Sequence, residues 1–506
     1  QAGYCGKRSF FRHWPMMTGK TVNDGGFESA FGDVGQVAQA ERPPKRARMV
    51  AAAAPPPECV GLGDLPLSEL AARLAPEDLR PLPAVCGSLR AACRREHLAL
   101  DLARGNTRVN SELVCRISLA GYFRVANAWL QKELDDEGLH YLSGIEGFSL
   151  GIVTLSLHGC RQLEDASPLG ACERLHTLDL SWCSRLSHVE GLARCPALQS
   201  LSLTECNRLT HISGLGACKS LKILYLSWCE NLSDVSGLAG CQSLEQLQLT
   251  GCAKLSGLEG LSDCIGLQIL NLAKVPRVYD LSELASCASL WSLNVADCGR
   301  LSDVSALGGC AKLKQLDLSG CSRLTCVAGL GGCTALRKVD LSGCGQLVDV
   351  GGLAGCEAME ELDLSNSPRL VDISALGTCT GLRELDLFNC AKVESVSALG
   401  RCRSLTTVNC SGCKMLSDVA GLAGCSSLEW LDLSVCDHLA DVSSLKECRR
   451  LTSLNLSNCR SLPDIRSLSG CEELHMLNLD GTSSERALDC GEPVVALPMG
   501  AGPGLT

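Results

Sequence analysis

Thirty-four cysteines stand in a chain of 506 residues, and most of them fall on a strict 23-residue beat in two phases. One series runs Cys160, Cys183, Cys206, Cys229, Cys252, passes over Val275, resumes at Cys298, Cys321 and Cys344, passes over Ser367, and continues from Cys390 through Cys413 and Cys436 to Cys459. The other runs unbroken from Cys172 to Cys471. Thiols can cross-link, hold metal or attack as nucleophiles. Disulfide scaffolds belong to short secreted chains, whereas this one is long and its repeat supplies a core. The two series take up 26 of the 34 cysteines, so reduced, buried thiols acting as small hydrophobes are expected. Structural zinc sites use close pairs such as C-x-x-C twice. The one such pair here is Cys410 and Cys413, with Cys410 in the place of a core leucine. His188 and His211 share one column of the repeat, the slot usually filled by Asp, and read as solvated turn residues without partners. No metal, no cofactor and no catalytic residue is expected.

The elements that position these residues follow from the beat, which is that of a solenoid. Its template is L-x-x-L-x-L-S-x-C-x-x-L-x-D-V-S-x-L-x-x-C-x-x, clean at Leu221, Leu224, Leu226, Cys229, Leu232, Asp234, Val235, Leu238 and Cys241. Starts at 152 and every 23 residues to 474 give fourteen full turns and one truncated turn. About six apolar positions per turn point inward, each contributing roughly 1.5–3 kcal/mol when buried, and no turn offsets its own ordering entropy without neighbours. Parallel strands about 4.8 Å apart make a sheet on the order of 70 Å along its arc. The Asp of the D-V-S segment, at Asp165, Asp234, Asp280, Asp303, Asp349, Asp372, Asp418, Asp441 and Asp464, is repeat grammar and accepts backbone N–H bonds in a turn.

The third, fifth, seventh and eighth places of each turn are expected to face solvent on the sheet. An aromatic group stands there near the front: Trp182, Tyr225 and Trp228. Farther along lies an acidic stripe of Asp317, Asp340, Glu361, Asp363, Glu384 and Asp386, with Phe388 beside it and Trp430 two turns later. Exposed aromatics on a rigid sheet anchor protein partners, and acidic side chains favour a partner with a basic segment. For the Asp column a second reading stands beside this one: L-D-L-S is simply a preferred strand sequence.

The composition agrees with a binding role. Hydrophobic residues make up 46% and aromatics 4%, so the core is built from small aliphatic side chains. A formal net charge of −10 argues against nucleic-acid binding across the array. Gln1 to Phe11 has no apolar h-region and no stretch approaches a membrane span. The chain opens on Gln instead of Met, which leaves room for an upstream piece. We divide it into a disordered basic lead (1–58), a compact helical segment (59–104), a helical cap (105–137) with a helix expected from Ser111 to Asp136, the solenoid (138–481) with a degenerate first turn over Gly138 to Leu150, and a disordered tail (482–506). Lys45-Arg46-Ala47-Arg48 reads either as a short nuclear localisation signal or as a solvated charge run.

The array resembles the leucine-rich repeat family over roughly residues 139 to 481. That resemblance implies an α/β solenoid, a horseshoe with a parallel concave sheet, in which the Cys after the strand takes the place often held by Asn. D-V-S-x-L resembles the short-repeat classes typified by internalins, and the paired cysteines resemble the cysteine-containing class of many F-box proteins. These two differ in outer-side geometry, which stays open. Leu62, Asp64, Leu67, Leu70, Leu74, Pro76, Asp78, Leu79, Leu82, Val85, Cys86 and Arg90 resemble an F-box; the bland alternative is a small helical cap. By that resemblance Leu62, Leu67, Leu70, Leu79, Leu82 and Val85 dock a Skp-type adaptor and its cullin complex. The chain would then be the substrate-recognition subunit of a ubiquitin ligase, cytoplasmic or nuclear, without catalysis of its own and with no nucleic-acid or membrane partner. The alternative is a protein-interaction scaffold with no ligase link.

Overall fold

The structure is a computed structural model and describes residues 99–101, 124–129 and 134–483. The basic lead, the F-box-like residues 62 to 90 and the C-terminal tail beyond residue 483 lie outside the described residues.

The 23-residue period sets the architecture. Each turn lays down a three-residue strand, β3 (Thr154–Ser156) through β17 (Met476–Asn478), and each strand from β3 onward pairs in parallel with the one 23 residues later. Two earlier strands, β1 (Ala99–Asp101) and β2 (Arg124–Trp129), extend this into a 17-stranded sheet. Every strand neighbours its successor in sequence, so the chain coils in one direction without a crossover.

Eight positions per turn point inward rather than six. In one turn Leu175, Leu178, Leu180, Cys183, Leu186, Val189, Leu192 and Cys195 are all fully buried, and the same eight places are filled in turn after turn. Opposite the strands each full turn carries a short 3-10 helix, from Ser167–Ala171 to Arg466–Gly470. The outer side is therefore built of tight turns. The D-V-S aspartates start them: all nine accept the N–H two residues on, at 2.7 to 2.9 Å.

Two expectations near the front need correction. The helix expected from Ser111 to Asp136 is interrupted by β2, whose Asn127, Ala128 and Trp129 pair with Thr154, Leu155 and Ser156. An unpaired edge at β3 would leave its N–H and C=O groups open, and pairing overrides the local helical pattern. The degenerate turn expected over Gly138 to Leu150 is instead two helices, α1 (Asp136–Ser143) and α2 (Glu146–Ser149). Asp135 caps α1 through Gly138 N at 2.9 Å. Leu139, Leu142, Ile145 and Phe148 are buried, and Asp136 Oδ1 accepts the free N–H groups of Glu164 and Asp165 at 2.8 and 3.0 Å. This pair of helices therefore closes the outer edge of the first turn, the work a terminal repeat needs.

Candidate partner-binding face

Thiols are numerous in this chain and able to do chemistry, and their hydrogen bonds show what they do for the fold. Each ladder cysteine of the first series from Cys183 on donates Sγ–H to the carbonyl 26 residues earlier, as Cys206 to Leu180 O (3.2 Å) and Cys321 to Val295 O (3.3 Å). The second series does the same on the outer side, as Cys218 to Leu192 O (3.2 Å). That carbonyl already accepts an N–H of its own turn, Cys195 N at 2.9 Å in the last case. The thiol takes the second lone pair and ties one turn to the next. Burial pushes Cys195 up to about 11 and Cys172 to about 12, so these two stay protonated near neutral pH. All 28 cysteines among the described residues are free thiols, and those residues contain no group of three or more His, Cys, Asp and Glu side chains able to hold a metal.

His188 and His211 do have a partner, contrary to expectation. Glu190 lies between them, 3.8 Å from one imidazole and 3.6 Å from the other, at the exposed surface of the outer turns.

On the sheet face the fifth place of each turn is less free than the pattern suggests. Asp317, Asp340, Asp363 and Asp386 stack in register on β10 (Gln315–Asp317), β11 (Lys338–Asp340), β12 (Glu361–Asp363) and β13 (Glu384–Asp386). Each carboxylate accepts the backbone N–H two residues on, at 2.7 to 2.9 Å. Asn271, Asn294, Asn409, Asn455 and Asn478 do the same in other turns. The column is the device that turns the chain out of the strand, which is why L-D-L-S recurs. Asp317 and Asp386 are 6% and 9% exposed. Burial first, then the neighbouring Asp340, lifts Asp317 to about 6. Burial, with Asp340 and Asp386, lifts Asp363 to about 7. Burial also raises Asp340 and Asp386. The third place carries the more open charges: Glu361 pairs with Lys338 across the strands, and burial beside Glu361 raises Glu384.

The eighth place holds a signal the pattern alone did not yield. In all fifteen turns its φ is positive, from Gly159 to Gly481. Glycine fills it six times and Asn at 366, 389 and 458; that phase-locked Gly/Asn column is the mark of a left-handed residue. Trp182 (φ 63°) and Trp228 (φ 60°) occupy it too. Trp182 is 46% exposed. Trp228 has Lys274 Nζ 5.9 Å from its ring centroid, a contact the sequence reading missed.

The candidate residues thus fall into two groups along the array. Trp182, Tyr225 and Trp228 lie within two strand steps of one another, and the carboxylates occupy four consecutive strands with the exposed Phe388 at their end. Trp430 on β15 (Trp430–Asp432) is eleven strand steps from the turn of Trp182, about 50 Å at the usual spacing.

Solved structures with this arrangement are numerous. A leucine-rich repeat protein of Leptospira interrogans superposes with a TM-score of 0.54 at 19% identity, over 71% of this chain and 91% of that one. The fold is a leucine-rich repeat solenoid. TLR13, solved as a complex with an RNA named ssRNA13, matches with a TM-score of 0.50 at 19% identity over 76% of this chain and 61% of its own. The internalin InlF of Listeria monocytogenes gives 0.48 at 22% identity over 58% and 84%. No protein-family model and no curated protein sequence matches the chain.

Proposed function

We propose that this leucine-rich repeat chain is a non-catalytic receptor whose sheet face holds a protein partner with a basic segment. The observation that carries the reading is the set of departures from repeat grammar along the array: the aromatics at 182, 225, 228, 388 and 430, and the carboxylates of Glu361 and Glu384 beside the Asp column. The Asp side chains hold their own turns, so charge reversal there would test folding as much as binding. Glu361→Lys with Glu384→Lys is the cleaner variant. It should weaken capture of a basic partner about tenfold or more, while Glu447→Lys on the outer side leaves capture unchanged. Equal capture by all three chains would reject the reading.

The finer proposal is that the partner is a substrate for ubiquitin transfer. Its support is the F-box-like pattern of Leu62, Leu67, Leu70, Leu79, Leu82 and Val85. The chain would then act by proximity, holding the substrate near a separate transfer enzyme. Co-purification of the full chain with a Skp-type adaptor, lost in Leu79→Asp, is the expected result. A folded full chain that never retains the adaptor would leave the plain interaction scaffold.

A further inference from the structure

In the loop that leaves each strand, the eleventh place of the repeat is Lys or Arg in eight of fourteen turns. The fold does not need a cation there. The turn that carries Asn231 closes with Leu232 N to Cys229 O at 3.0 Å, and the turn that carries Arg300 closes with Leu301 N to Cys298 O at 3.0 Å. Some of these cations have a partner: Arg185 and Arg208 both reach Glu164, and Arg369 donates to Gln346. Lys254, Arg277, Arg300 and Arg323 differ. They stand exposed on four consecutive turns, and their side chains form no ion pair or hydrogen bond among the described residues. Four like charges, each one strand step of about 4.8 Å from the next, repel one another with nothing in the fold to offset it. The carboxylates three residues farther on are already engaged. Asp280 and Asp303 each accept the backbone N–H of Ser282 or Ser305 with one oxygen and that serine's hydroxyl with the other. Exposed Asp297 forms no ion pair with any of the four cations. Tyr279 follows Arg277 across the buried Val278 and is 61% exposed, at a place that holds Ser256, Ser302 and Thr325 in the adjoining turns. An open aromatic ring among unpaired arginines has the composition of a binding hot spot.

We propose that Lys254, Arg277, Arg300 and Arg323, with Tyr279, form a docking ridge for an acidic peptide segment of a partner protein, on the rim of the solenoid beside the sheet face. Carboxylates of the segment meet the cations, each guanidinium offering two parallel N–H groups, and an apolar side chain of the segment covers the Tyr279 ring. The ridge is separate from the sheet face and does not depend on what that face holds. A peptide is favoured over a nucleic acid on two counts. Stacked bases use a series of rings along the strand, whereas the column of Tyr279 continues in serine and threonine on both sides. The chain as a whole carries a formal charge of −10, which opposes a long polyanion, while a short acidic segment meets the local row of cations.

The test uses the full chain and a fluorescein-labelled peptide of six glutamates, two leucines and six glutamates, read by anisotropy at low ionic strength. Saturable binding is expected, with Arg277→Gln plus Arg300→Gln weakening it at least about tenfold. The chain itself carries Gln at this place in two other turns, Gln162 and Gln346, so this variant should keep its thermal midpoint. Lys312→Gln plus Lys314→Gln removes the same charge from two exposed cations that precede β10, at the opposite edge of the sheet, and should leave binding within about twofold. Tyr279→Ser, which restores the residue of the adjoining turns, should weaken binding about threefold or more. Equal loss in the two double variants would reduce the effect to net charge and overturn the ridge. No binding at about 1 mM would reject it. Displacement of the probe by a fourteen-nucleotide uridine strand at equal or lower concentration would make the rim a nucleic-acid surface and overturn the peptide.

Discussion

At position 367 the thiol column holds a serine, fully buried, whose hydroxyl reaches no partner. The carbonyl it should meet, Leu341 O, keeps only its own-turn bond from Cys344 N at 3.3 Å. An orphaned buried hydroxyl costs about 1–3 kcal/mol, and sulfur, being larger and set on a longer bond, both fills the place and donates. Ser367→Cys is therefore expected to stabilise the array by about 1–2 kcal/mol, read as a higher thermal midpoint in reducing buffer; an unchanged or lower midpoint would show that the thiols merely fill space. The same scale explains what was legible and what was not. Cysteine spacing announced the ladder because burial and hydrogen bonding demand one residue type at one place. The fifth-place Asp was ambiguous because a carboxylate that holds its own turn and one that meets a partner look alike in sequence. Only the Asn substitutes, equally able to accept that N–H, give the answer.

The elements are short, and their contact is close on both sides. Outer turns touch backbone to backbone: a Cβ on Gly352 would lie 1.8 Å from Val327 O, and one on Gly421 within 2.5 Å of Ser397 O. Glycine at these places lets the outer turns approach where a side chain would hold them apart. Gly352→Ala should destabilise by about 2 kcal/mol or more through overpacking, measured by chemical denaturation, whereas Gly345→Ala, with nothing within 4 Å of its added Cβ, should cost less than about 1 kcal/mol. Full destabilisation by both, or by neither, would contradict this account of the outer packing. Element boundaries inside the repeat were readable from the leucines because the period repeats the signal fifteen times. The front was misread because β2 and α1 occur once, with pairing distances of 27 residues to β3 and 25 to β1, so no periodicity marks them.

Over the whole molecule, stacking makes the array a store of protonated acids. Folded thiols such as Cys195 and Cys172 hold their protons to about 11 and about 12, while unfolded ones release them near 8.5. A folded value raised above the unfolded one stabilises nothing further below about pH 8 and loses stability as pH rises through 8.5. The loss is about 1.4 kcal/mol per pH unit for each thiol in the cooperative unit. Sharp unfolding between about pH 8.5 and 10 in reducing buffer is expected by circular dichroism; a flat profile to pH 11 would mean the thiols are not buried in solution. The Asp column, facing Glu361, Glu384 and Lys338, acts in a lower window. Asp363 and Asp317 bind protons in the fold near 7 and 6 and in the unfolded chain only near 3.9, so stability should rise as pH falls from about 8 to 5. Asp363→Asn, which keeps the turn bond as Asn409 does, should remove part of that slope and stabilise at pH 8 by about 1–2 kcal/mol.

The binding claim is tested most directly by hydrogen–deuterium exchange on the full chain with and without its captured partner. Protection on the strand segments 315–319, 338–342, 361–365 and 384–388, with the 3-10 turns unchanged, is the predicted result. Protection confined to the outer turns, with those strands untouched, would contradict it.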